Sequence, residues 1–159
     1  MEGKELLRER FVVDSMLGKV AKWLRILGYD VLCEPIREPK ILEYGEAGWF
    51  LLTRRRRWCG RPKVLCLHEN APMDQLRELH SLMPLRMEAD ELLSRCIRCN
   101  ERLERVDRAG VFGRVPDYVF ETLAEFHRCS RCGKIYWRGS HPERMIHRLR
   151  HELGICSHE

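Results

Sequence analysis

The sequence predicts an α/β unit built on a parallel sheet over residues 1–90, then a small cysteine-held unit over residues 91–159 that ends in a basic helix. Three observations lead there. Short apolar runs alternate with amphipathic helical stretches through the first part, and strand–helix–strand alternation favours a parallel sheet. Two C-x-x-C pairs, Cys96/Cys99 and Cys129/Cys132, fall after residue 90. Around them the texture becomes turn-rich, and large apolar residues thin out.

The elements follow in order. "FVVD" (Phe11 to Asp14) is a β-branched run ending in an acid. In "SMLGKVAKWLRILG", Met16, Leu17, Val20, Ala21, Leu24 and Leu27 recur at helical spacing as one buried stripe. Ser15 is the expected N-cap and Gly28 the expected stop. "DVLC" reads as the second strand. "EPKILEYGEAG" holds a short helix with Pro39 in its first turn. "WFLLT" and "KVLCL" are strands three and four. "PMDQLRELHSLM" is an amphipathic helix with Met73, Leu76, Leu79 and Met83 on one side. Leu92, Leu93 and Ser94 form the junction. Beyond it come two knuckles, "SRCIRCNERLERV" and "FHRCSRCGKIYWRG", then the helix "HPERMIHRLRHELG".

Composition sets limits. One third of the residues are charged and the net charge is +5, with basic residues spread over both parts. Nucleic-acid contact therefore has to be argued from local clusters. No apolar run approaches the ~20 residues that cross a bilayer. "MEGKELLRER" lacks an apolar signal core, so the expectation is a cytoplasmic protein with no membrane partner.

In that setting C-x-x-C pairs read as metal ligands before disulfides. Two residues between cysteines aim both thiolates at one ion, and two such turns give the tetrahedron of structural Zn²⁺. Redox dithiols or an iron–sulfur cluster are the alternatives. Residues 100–128 separate the pairs, so the ribbon carries an insertion, "RAGVFGRVPDYVFETLAEF". Gly133 follows the second pair, where a knuckle needs positive φ. His141, His147, His151 and His158 read as solvated residues, because four thiolates already close the site. Cys33, Cys59, Cys66 and Cys156 stand alone and read as small buried hydrophobes.

Asp14 sits where strands of open α/β sheets present ligand-binding groups. It is either a ligand for Mg²⁺ or Mn²⁺ or a turn residue.

The segments "FVVDSMLGKVAKWLRILGYDV", "FLLTR", "SRCIRCNERL", "RVPDYVFE" and "FHRCSRCGKIYWRGSH" together resemble the Mut-seven C-terminal RNase domain family over about residues 10–150. The resemblance implies a PIN-like α/β domain joined to a zinc ribbon, metal-dependent RNA cleavage, and zinc on the four cysteines. It places the first catalytic acid on Asp14 and the second on Glu38, with Glu43 as the fallback. The third family acid follows "LLTR", and here Arg55 stands in its place. A guanidinium ~5 Å from a divalent ion, at an effective dielectric of ~20, would be repelled by roughly 7 kcal/mol. The implied reading is a PIN-like ribonuclease with weakened metal chemistry. The alternative is a catalytically silent RNA-binding or protein-interaction module.

The run Arg54, Arg55, Arg56, Arg57 with Trp58 beside it suits phosphates and an unstacked base. Lys19, Lys22, Trp23 and Arg25 on the first helix, and Arg61, extend that surface toward RNA. The competing reading is a solvated loop paired to Glu43 and Glu46.

Overall fold

The computed structural model describes residues 8–155. β1 (Arg10–Asp14) is an inner strand, and Phe11, Val12 and Val13 are fully buried. Such a run is apolar throughout because both faces of a parallel sheet are covered. Successive side chains alternate between two cores. Phe11 and Val13 join the larger cluster, and Val12 joins the smaller one. A 3-10 turn (Ser15–Leu17) leads into α1 (Gly18–Ile26), followed by β2 (Asp30–Glu34), α2 (Glu38–Glu46) and β3 (Trp49–Thr53). A second 3-10 turn (Arg56–Trp58), β4 (Val64–Cys66) and α3 (Pro72–Leu82) complete the unit. The four strands are parallel in the order β2-β1-β3-β4.

The order reverses between β1 and β3, which makes their carboxyl ends the topological switch point where open sheets bind ligands. α1 and α3 cover one face of the sheet. α2 and buried Trp58 cover the other.

The first helix departs from its expected start. Ser15 makes no side-chain cap, and Ser15–Leu17 is wound as a 3-10 turn. The tighter turn shifts the helical phase, so Met16 points outward at 49% exposure while Leu17 stays inside. Gly28 ends the helix as expected, at φ +90°. It is also a contact point, since a Cβ there would lie 2.4 Å from the carbonyl oxygen of Glu91. The junction is thus pressed against the end of α1, and the N–H of Leu93 donates to the carbonyl of Ile26 at 2.9 Å.

The second unit is an antiparallel sheet of β5 (Glu104–Val106), β6 (Phe126–Arg128) and β7 (Ile135–Tyr136). The expected insertion contains a 3-10 turn (Arg108–Val111) and α4 (Asp117–Thr122). It builds much of the ribbon's core, because Val111, Val115 and Val119 pack on Phe126 and Ile135. The chain then returns to the first unit. α5 (Ser140–Leu153) packs on α3, and Ile146, Leu149 and Leu153 enter the larger core. His141, His147 and His151 are exposed. Cys156 and His158 lie outside the described residues.

The lone cysteines differ from expectation. Cys59 and Cys66 form a disulfide across the loop between β3 and β4, and Cys33 is exposed at the end of β2. The parallel pairing of β3 with β4 places Thr53 opposite Cys66, and the loop folds Cys59 back onto it. Among the described residues, no helix is long and apolar enough to cross a membrane.

Candidate functional site

β1 and β3 bring Asp14 and Thr53 together at the switch point. Asp14 is buried at 1% exposure. Its Oδ2 accepts a hydrogen bond from the Thr53 hydroxyl at 3.1 Å and an ion pair from Arg55 Nε at 3.3 Å. Thr53 Oγ1 in turn accepts the backbone N–H of Arg55 at 3.0 Å. One threonine therefore fixes both the acid and the chain that delivers its counter-charge. The Arg55 side chain stays 42% exposed, and it reaches Asp14 through Nε.

Glu38 opens α2 and is held elsewhere. Trp58 Nε1 donates to its Oε1 at 2.7 Å, and Arg61 forks onto both oxygens at 3.0 and 3.2 Å. The Arg61 and Trp58 hydrogen bonds hold the Glu38 carboxyl below the usual carboxylate range. Glu43 is exposed on α2. Among the described residues, Asp14 belongs to no group of three or more converging metal ligands. Hard divalent ions take several oxygens. One buried carboxylate already paired with a guanidinium does not fit that requirement.

The basic surface is smaller than the sequence suggested. Trp58 is fully buried, so it offers no face to a base; its ring lies under Arg55 and Arg57 at 5.2 and 4.8 Å. Arg25 also turns inward, at 9% exposure. Its guanidinium donates to the carbonyls of Val31, Ile97 and Arg98 and so ties α1 to β2 and the first knuckle. Arg54, Arg56, Arg57, Lys19 and Lys22 remain exposed, and Arg54 donates to Asn70 Oδ1 at 2.8 Å. The loop arginines do not pair with Glu43 or Glu46; Arg55 and Arg61 pair instead with Asp14 and Glu38. Sequence reasoning missed Thr53, Asn70 and the Glu38–Trp58–Arg61 cluster. Thr53 carried a faint signal as the one polar residue closing a buried strand.

The cysteine pairs do converge. The four sulfurs of Cys96, Cys99, Cys129 and Cys132 lie within 4.8 Å of one another, and Cys96 Sγ is 3.8 Å from Cys132 Sγ. A tetrahedron with Zn–S of about 2.3 Å has an edge of about 3.8 Å. Positive φ at Asn100 and Gly133, immediately after each pair, closes the two knuckles. Burial opposes ionisation of Cys96. Hydrogen bonds from the Tyr136 hydroxyl and from the N–H groups of Cys99 and Arg98 outweigh it, bringing the thiol down to about 6. Desolvation and its sulfur neighbours push Cys99 up to about 12. A first thiolate thus opposes a second until a cation arrives. The donor set fits zinc, with all four tetrahedral positions filled by protein.

Docking of the first knuckle is specific. Asn100 Oδ1 accepts the N–H of Val31 on the edge strand at 2.9 Å, and its Nδ2 donates to Asp30 at 2.6 Å. The cysteine cluster is therefore held beside the β2 edge of the parallel sheet.

A family model described as Mut7-C RNAse domain matches residues 9–149, nearly the whole chain. No curated protein and no solved structure matches it. The chain belongs to the Mut7-C RNAse domain family.

Proposed function

We propose that this member of the family binds RNA by its phosphodiester groups at the carboxyl end of the parallel sheet, and that metal-dependent hydrolysis there is weakened. The Arg55–Asp14 ion pair carries the reading. Asp14 would be the first ligand for a divalent ion, and the chain's own guanidinium occupies it. Arg55 reaches Asp14 through Nε, which leaves both Nη atoms for a phosphate, and Arg54, Arg56 and Arg57 adjoin it. Guanidinium–phosphate pairs are bidentate and charge-assisted. Arg55 then neutralises phosphate charge where a metal would otherwise do so, without activating water. The family's nuclease character supports RNA as the ligand.

The test measures binding and turnover of single-stranded RNA across a Mn²⁺ titration for wild type, Asp14→Ala and Arg55→Asp. Wild type is expected to bind with salt-dependent affinity and to turn over poorly. Arg55→Asp is expected to bind more weakly and to gain Mn²⁺-dependent turnover. Rapid Mn²⁺-dependent turnover by wild type, lost in Asp14→Ala, would overturn the weakened chemistry. Absence of RNA affinity would overturn the ligand.

A further inference from the structure

A groove of about 610 Å³ runs from the sheet end to the first cysteine knuckle. Lys19 and Lys22 of α1, Arg54 after β3, Asn70 and Gln75 near the start of α3, and Arg98 inside the C-x-x-C turn line it. No carboxylate lines it. Among the described residues, Lys19, Lys22, Arg54 and Arg98 make no ion pair. With the inward-turned Arg25, five cations line one concavity that holds no carboxylate; they raise the local positive potential, and a polyanion relieves it.

We infer that this groove carries the RNA backbone away from the sheet end, and that Arg98 on the zinc knuckle is one of its phosphate contacts. The inference rests on RNA being the ligand proposed above. Two features make Arg98 a fixed contact on an otherwise separate unit. Arg25 donates to the carbonyls of Ile97 and Arg98 at 2.9 and 3.2 Å, which pins the knuckle to α1. Asn100 then ties the same turn to β2. Arg98 itself is exposed, so its charge faces the groove mouth at no cost in burial. At the other end, Arg54 is held by Asn70 one residue from Arg55. The groove thus continues the sheet-end site across the boundary between the two units. The ribbon becomes one wall of the binding site, and its cysteine cluster sets where that wall stands.

The experiment is fluorescence anisotropy with a labelled single-stranded oligouridylate over a salt series, with bound zinc measured for every variant. Arg98→Ala should weaken binding about tenfold, the loss expected of one charge-assisted contact. It should also flatten the slope of log affinity against log salt by about 0.7. Arg98→Lys should recover most of both, and Lys19→Ala/Lys22→Ala should flatten the slope further. Arg105→Ala, whose guanidinium pairs with Glu125 on the ribbon surface, should change neither. Unchanged affinity and slope in zinc-loaded Arg98→Ala, with wild type still binding, overturns the groove path and leaves the sheet-end reading standing. No binding by wild type overturns both.

Discussion

The cysteine cluster and the sheet end each present groups able to pair with a cation, and they do so in opposite ways. At the ribbon, four ligand atoms converge from two tight turns. At the sheet end a single buried carboxylate converges with a guanidinium. The difference lies in how each site is assembled. Each knuckle aims two thiolates from one tight turn, so half the site is built by four consecutive residues. The sheet end is assembled from separate strands: Asp14 closes β1, and Arg55, just after β3, supplies its counter-charge. Half of the ribbon site is thus local in sequence, whereas the Asp14–Arg55 pair exists only once β1 and β3 lie side by side.

Removing the metal from the ribbon should give the largest effect. Its core rests on Val111, Val115, Val119, Phe126 and Ile135, too few to hold a unit of this size unaided. Structural zinc contributes on the order of 10–16 kcal/mol in small peptides. One zinc per chain is expected. Chelation or Cys129→Ser should abolish amide protection in β5–β7 and change the Trp137 fluorescence, while β1 and β3 stay protected. A ribbon that stayed folded after complete chelation would break the comparison at its stronger end.

The sheet end should respond in the reverse sense. Wild type should show no gain in Tm with Mn²⁺. Arg55→Asp should lose stability without metal, since two carboxylates then meet in a buried site. With Mn²⁺ at about 100 times its Kd, that variant should regain about 2.7 kcal/mol. Asp14→Asn in the same background should cancel the gain. A Mn²⁺-dependent shift in wild type of the same size would show that Arg55 does not guard the carboxylate, and the two regions would no longer differ.

The sequence made these regions legible to different degrees. Strands and helices of the α/β unit were readable because periodicity and burial agree, as in the apolar β1 run or the α1 stripe from Leu17 to Leu27. The four cysteines were readable because their spacing is local. Asp14 could be placed at a strand end, but its partner could not be foreseen, because the Arg55 contact depends on Thr53 turning the chain back toward β1. Trp58 looked like a base-stacking residue from its arginine neighbours. Its indole is instead buried against Val12, Ile36, Ile41 and Leu51, contacts that arise only when α2 folds over the sheet. Arg25 misled for a related reason: a long cationic side chain on a helix reads as surface, yet the carbonyl of Val31 on the next strand and those of Ile97 and Arg98 on the distant knuckle draw it inward. The Cys59–Cys66 link depends on loop closure between two parallel strands, which spacing alone does not reveal.

The smallest expected effect concerns Glu38, the acid that opens α2. Arg61 and Trp58 hydrogen bonds lower its carboxyl in the folded chain, with the Arg57 charge adding to them. A carboxyl lowered on folding contributes stability that is fully present above its unfolded value, about 4.3. That contribution fades as pH falls through the folded value, where the carboxylate takes up its proton and the Arg61 fork is lost. Wild type and Glu38→Gln should therefore differ most in urea midpoint near neutral pH, and the gap should close below about pH 4. The exposed position of Glu38 keeps the effect modest and salt-sensitive. If the gap stayed constant through the acid limb, Glu38 would be acting through the shape of its contacts with Trp58 and not through charge. Glu38 would then be held by packing, unlike Asp14, which is held by an ion pair.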